Sequence, residues 1–298
     1  MYGNLLLCVD YDGIASSALP PFASLARLWN ARVHVLHVHS TGTTRPNGGN
    51  RRLVHDIVDR LNTAGVPAMG EVHLTDDDHL VDAIAGAARS SAADLVAIGT
   101  RGRSAPVSLL AGSVSHQVAA AVSLPVLVVR PNLRPLGQWP AEVLAAIDGG
   151  EDRWSVLDTT ARTVQGTGGE AVVVHVLERH RSGVFTDLEP AEHGQELVDA
   201  AVAHLRSREV RARGLVLRSP GGSVAHQLAR EAERLNCALL IVGSRRPGEL
   251  KAAVTGSVAH EVSRRTRRPL LLAARRSAPE MVGDPSEAVR AGSPSPTS

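Results

Sequence analysis

The sequence predicts an α/β protein of two Rossmann-like domains, each a five-stranded parallel sheet flanked by helices. Three observations lead there. Short apolar runs alternate with helical stretches along the chain, the pattern of parallel strands joined by right-handed crossovers. A glycine-rich segment occurs twice, as Gly99-x2-Gly102-x9-Gly112-Ser113 and, 144 residues later, as Gly243-x2-Arg246-x9-Gly256-Ser257. The length, 298 residues, suits two domains.

In the first half, Leu5 to Val9, Arg32 to Val38, Val72 to Leu74, Leu95 to Ile98 and Val126 to Val129 are β-branched or leucine-rich runs and read as strands. Ser17 to Trp29, Arg51 to Ala64, Leu80 to Ser91 and Ser113 to Val122 read as the helices between them. The last places Val114, Val118 and Val122 in one apolar stripe at i, i+4, i+8. The second half repeats the series. Its strands are Val143 to Ile147, Ala171 to Leu177, Leu215 to Leu217, Leu239 to Val242 and Leu270 to Ala273, and its helices Arg153 to Val164, Gln195 to Arg206, Val224 to Leu235 and Ser257 to Arg265.

The repeat extends beyond glycines: Val9-Asp10 matches Ile147-Asp148, His37-Val38 matches His175-Val176, His116 matches His260, and Pro125 matches Pro269. Duplication accounts for this better than convergence. The domains are expected at 1–132 and 141–276, joined by a linker around Pro131 to Pro140. Residues 277–298, rich in Ser, Pro, Gly and Ala, are expected to form a disordered tail.

Composition narrows the function classes. With 32 basic and 30 acidic residues, net charge +2, the chain has no overall field that favours nucleic acid or anionic lipid. Aromatics at 2% remove the usual base-stacking platforms, so no nucleic-acid partner is expected. The only cysteines, Cys8 and Cys237, sit one per half in or beside apolar runs, which argues against a disulfide framework and for a reducing, cytoplasmic setting. Asp10 cuts short the apolar run at the amino terminus, and no run of about 18 apolar residues follows anywhere, so no membrane partner is expected.

The chemistry is expected at the glycine loop. Gly99 directly follows a strand, where lack of a Cβ lets a ligand approach the backbone and permits positive φ; Gly102 does likewise inside the turn. Gly112-Ser113 opens a helix that Ser113 can cap, and the free amides there, with the helix dipole, can cradle a triphosphate without a side-chain cation. Asp10 ends the first strand, where doubly wound sheets bind ligands. Its carboxylate can accept hydrogen bonds from ribose hydroxyls or an exocyclic amine, and Val38 can wall a base. Each of these residues taken singly also fits a plain turn; their spacing and duplication favour a site.

On these residues the chain resembles the universal stress protein family. Gly99, Gly102, Gly112, Ser113 and Val114, with the strand Pro125 to Val129, look like its ATP-binding signature, and Val9-Asp10 and His37-Val38 fit the same pattern. The resemblance covers nearly the whole chain as a tandem pair. It implies Rossmann-like, adenine nucleotide alpha hydrolase-like domains that bind ATP, possible Mg2+ companion included, in a cleft. Asp10, Val38 and Ile98 would face adenine and ribose; Gly99, Gly102, Gly112, Ser113 and Val114 would hold ribose and phosphates. The second copy retains Asp148, Val176, Gly243, Gly256, Ser257 and Val258. It departs at Arg246, whose side chain can either block the phosphate path or pair with phosphate oxygens.

The resemblance also implies pairing of the last strands, Val126 to Val129 with Leu270 to Leu272, which would make the tandem chain an intramolecular counterpart of a dimer. A homodimer of whole chains and a regulatory protein partner stay open. The expected role is a nucleotide-dependent stress-response or signalling protein, not an enzyme beyond slow ATP hydrolysis. The alternatives are an ATPase or nucleotidyl transferase in the same cleft, and a nucleotide-independent scaffold.

Rival nucleotide chemistries find no support in the letters. Lys251 is the single lysine and follows no Walker A glycine, and no Gly-x-Gly-x-x-Gly follows the first strand of either half. His37 and His39 share a strand face at metal-ligand spacing but lack a clear third ligand. His116 and His260 beside the loops are expected as partly exposed helix residues, Asp76 to Asp78 as the acidic start of a helix, and Arg264, Arg265, Arg267 and Arg268 as a solvated helix end.

Overall fold

The computed structural model describes residues 1–10, 18–40, 47–76, 79–99, 113–129, 141–177, 179–182, 185–219, 223–244 and 258–274. The first half runs β1 (Asn4–Val9), α1 (Leu19–Leu28), β2 (Arg32–Ser40), α2 (Asn47–Thr63), β3 (Ala68–Thr75), α3 (Leu80–Ser90), β4 (Leu95–Gly99), α4 (Ser113–Ala121) and β5 (Val126–Val129). The second runs β6 (Glu142–Ile147), α5 (Arg153–Val164), β7 (Glu170–Leu177), β8 (Arg179–Ser182), β9 (Phe185–Leu188), α6 (Ala191–Ser207), β10 (Ala212–Arg218), α7 (Val224–Arg234), β11 (Leu239–Val242), α8 (Val258–Arg265) and β12 (Leu270–Leu272).

Each half contributes five parallel strands, and the two sets join into one ten-stranded sheet ordered β10-β7-β6-β11-β12-β5-β4-β1-β2-β3. The joint is antiparallel: Leu270 pairs with Val128, Leu271 with Leu127 and Leu272 with Val126. The remaining pairs are parallel. Two apolar last strands thus cover each other's edges, which would otherwise be open to unwanted pairing.

Alternation along the strands builds two core layers. Leu5, Leu7 and Val9 of β1 enter one cluster with α1, α2, α5 and α6, while Leu6 and Cys8 enter the other with α3, α4, α7 and α8. Residues of both halves appear in both clusters, so the core is continuous across the β5–β12 joint. The central strands β1, β4, β5, β11 and β12 are almost wholly buried, which is why they read as unbroken apolar runs.

The duplication recurs in backbone geometry. Left-handed residues follow the helices at matching places: Asn30 (φ 52°), Gly65 (77°) and Ala92 (48°) in the first half, Gly168 (72°), Glu209 (61°) and Asn236 (53°) in the second. The edge-strand glycines Gly70 and Gly214 also correspond. A Cβ on Gly70 would run into Val54 of α2, and one on Gly214 into Val198 of α6, so both are small because a helix crosses tightly above.

Several expectations need correction. The five strands expected per half are present, and they join into one sheet through the pairing of the last strands that the resemblance implied; the corrections concern other elements. The antiparallel hairpin β8–β9 was not foreseen, because its residues carry no apolar alternation. Strand β3 starts at Ala68 rather than Val72, and β10 spans Ala212–Arg218 rather than Leu215 to Leu217. Both are edge strands with exposed positions, so the apolar signal covers only part of each. Ser113 is the first residue inside α4 rather than the residue before it. The linker around Pro131 to Pro140 and the tail expected at 277–298 lie outside the described residues.

Candidate functional site

A doubly wound sheet binds ligands beyond the carboxyl ends of its strands where the chain order reverses, and in both halves that place is the junction of the first and fourth strands. In the first half, Asp10 follows β1, Val38 lies near the end of β2, and Ile98 and Gly99 end β4. Ser113 and Val114 open α4. Gly102 and Gly112 lie outside the described residues.

In the second half the described residues border a cleft open to solvent. Ile147 and Asp148 line it from the end of β6, His175 and Val176 from β7, Val242 and Gly243 from β11, and Val258 and Ala259 from α8. Asp152, Arg153 and Val156 of α5 and Val224 and Leu228 of α7 complete the wall. The structure therefore brings together Asp148, Val176, Gly243 and Val258 of the expected set. Gly256, Ser257 and Arg246 lie outside the described residues.

The cleft has a charged end and an apolar body. Asp148 Oδ1 accepts the Gly150 amide at 2.9 Å, so this carboxylate shapes its own turn as well as bordering the cleft. Arg153 Nη1 donates to the carbonyls of Gly149 (2.9 Å) and Gly150 (3.0 Å), and its guanidinium lies 4.8 Å from the Trp154 ring centroid. Arg153 and Asp152 were missed from the sequence. They open a helix directly after the Asp148-Gly149-Gly150 turn, but that they face the cleft follows from how α5 starts over the sheet.

Gly243, the counterpart of Gly99, does not carry positive φ. A Cβ there would meet Val156 at 3.7 Å and Asp152 at 3.8 Å, ordinary contacts. The backbone does not need glycine at this position, which leaves access to the cleft as its consequence.

One contact repeats at the two switch points. His37 Nδ1 lies 3.0 Å from the Val9 carbonyl and His175 Nδ1 3.1 Å from the Ile147 carbonyl. A carbonyl only accepts, so Nδ1 carries the proton in both rings. Beyond this the halves diverge. Asn50 of α2 donates to His39 Nδ1 at 2.9 Å, whereas the second half has Leu177 and Gly194 at the corresponding positions, and a Cβ on Gly194 would crowd Leu177 and His175. Desolvation lowers the pKa of His37 despite its bond to Val9, which favours a neutral ring.

The histidine-rich strand does not gather a metal centre. His34 faces Glu71 at 3.6 Å, His37 the Val9 carbonyl and His39 Asn50. Among the described residues no group of three His, Cys, Asp or Glu could hold an ion. Asp77 and Asp78 lie outside the described residues, as does the His116 side chain; His260 sits half-buried on α8. The arginine cluster is only partly a solvated helix end. Arg265 pairs with Glu261, but Arg268 is buried at 2% exposure and donates to Glu233 (3.2 Å) and Asn236 (2.8 Å).

Fold and site together define a tandem, doubly wound α/β protein with a cleft at a switch point. A model of the universal stress protein family matches residues 1–130 and again 141–274, and the chain belongs to that family. Among solved structures it is similar to a universal stress protein from Archaeoglobus fulgidus DSM 4304, at 19% identity over 91% of this chain and 98% of that one, with a TM-score of 0.66. It is also similar to a putative universal stress protein from Pseudomonas aeruginosa UCBPP-PA14, at 15% identity over 91% and 93%, with a TM-score of 0.61. No curated protein matches it. No helix among the described residues is long and apolar enough to cross a membrane.

Proposed function

We propose that the chain binds an adenine nucleotide, ATP, at the carboxyl edge of its sheet, and that the bound state governs contact with a partner in a cytoplasmic stress response. The observation that carries this reading is the cleft that gathers Asp148, Val176, Gly243 and Val258, the positions the family resemblance implies for nucleotide. Asp148 serves adenine or ribose hydroxyls, Val176 and Val242 wall the base, and Gly243 leaves the backbone open to the sugar. Oxygen donors are present for Mg2+ carried in on the phosphates, in Asp148 and Asp152, and such an ion would offset phosphate charge. The first half holds the corresponding Asp10, Val38, Ile98 and Gly99.

Binding without rapid turnover is the expected behaviour, since phosphoryl transfer relies on cations placed around the γ-phosphate and the chain has one lysine. Denaturing the purified protein and identifying the released nucleotide, with calorimetric titration of ATP, tests the proposal. One or two adenine nucleotides per chain support it; no released nucleotide and no ATP heat refute it. Turnover on the order of 1 per second or faster would replace it with the enzyme reading.

A further inference from the structure

The second cleft contains a buried contact between His175 and Glu189. His175, 6% exposed in its side chain, bonds the Ile147 carbonyl through Nδ1 and meets Glu189 Oε2 through Nε2 at 3.0 Å. Glu189, 9% exposed, lies between the β8–β9 hairpin and α6. One buried pair therefore ties the returning end of the hairpin segment to β7 and, through the ring, to the last carbonyl of β6. Asp148 follows that carbonyl directly. A shift of the ring moves the turn that borders the cleft.

Proton arithmetic adds a condition. The Ile147 carbonyl requires a hydrogen on Nδ1, so the Nε2–Oε2 contact holds only with a second proton between the two atoms, on either one. Without it a ring lone pair faces a carboxylate lone pair. The charged groups that line the cleft with His175 are Asp148 after β6 and Asp152 and Arg153 at the start of α5, and the titratable group the structure sets against Glu189 from α6 is His193. Of these, His193 reaches the other Glu189 oxygen, at 3.8 Å, from an exposed position.

We propose that His175 and Glu189 are positioning residues of the second cleft, a proton-dependent latch in which Glu189 orients the His175 ring and the ring holds the Ile147–Asp148 turn in its binding geometry. The role in affinity rests on the nucleotide reading above. The latch itself does not. It releases as pH rises and the bridging proton leaves, and the cleft then loses a fixed wall.

The test compares wild type, Glu189→Gln and Glu189→Ala by ATP calorimetry over a range of pH, and by amide exchange of residues 185–194 without ligand, corrected for intrinsic rates. Glutamine keeps the shape and donates its own N–H to the neutral ring, so E189Q should bind ATP with a flatter pH profile than wild type, ATP's own titration being common to both. E189A should bind about tenfold more weakly wherever wild type is latched, the scale of one buried hydrogen bond to a charged group. In exchange, wild type should loosen with rising pH, E189Q should not, and E189A should be loose throughout. Identical ATP profiles for wild type and E189A, or E189Q behaving as E189A, overturn the positioning role. If wild type binds no ATP, the nucleotide reading fails, and exchange alone judges the latch: equal protection in all three proteins overturns it.

Discussion

At the scale of single residues, Gly243 separates ligand access from folding. Most loop glycines confound the two, because a Cβ strains the backbone as well as filling space. Here an added Cβ makes only ordinary contacts with Val156 and Asp152, and φ is not positive. Gly243→Ala is therefore expected to leave the thermal midpoint within the range of a neutral substitution, roughly 0.5 kcal/mol, while lowering ATP affinity in calorimetry by about tenfold or more. Unchanged affinity would remove Gly243 from the site. Asp148, Val176 and Gly243 were legible because each ends a strand at a duplicated position. Arg153 was not, since its relation to the turn carbonyls depends on how α5 starts over the sheet.

At the scale of elements, the duplication shows how one backbone tolerates different residues. The turn after α2 uses Gly65 at φ 77°, whereas the matching turn after α6 holds Glu209 at 61°. A side chain in that region costs about 1 kcal/mol relative to glycine. Glu209→Gly should therefore stabilise the protein by about 1 kcal/mol, read as a higher urea midpoint at unchanged slope. A lower midpoint would mean that the side chain has a role the backbone cost conceals. Edge strands were read too short because β3 and β10 have solvent-facing positions, and the β8–β9 hairpin was missed because pairing between polar segments leaves no hydrophobic period. Central strands were read nearly to the residue, buried on both faces as they are.

At the scale of the whole molecule, the halves are joined by more than the β5–β12 ladder. Tyr2 and Trp29 of the first half stack edge to face at 4.9 Å, and the Trp29 indole donates to the Thr163 carbonyl of α5 at 3.1 Å. Arg162 lies 4.7 Å over the Tyr2 ring and pairs with Asp94 at 3.1 Å. Burial pushes the Tyr2 hydroxyl up to about 12. For Asp94, desolvation acts upward, but the amides of Asn4 and Gly3 and the Arg162 guanidinium outweigh it and hold the carboxyl below its ordinary 3.8. A lowered carboxylate pKa contributes stability that is present above the unfolded value and lost as pH falls through the folded one. Asp94→Asn should cost about 1 kcal/mol near neutral pH, the difference fading below pH 3.8 in urea titrations. A constant difference at all pH values would assign the loss to packing instead.

The sequence by itself determined the class of fold, its duplication, the family and the strand ends that border the second cleft, because each of these is written in local periodicity and in spacing along the chain. The resemblance carried the pairing of the last strands as well. Tertiary structure decided the rest: that the cores of the two halves are continuous, that Arg153 borders the second cleft, and that His175 meets Glu189 across the β8–β9 hairpin. Those depend on which segments cross in space, and contacts between residues distant in sequence leave no period in the chain from which to read them.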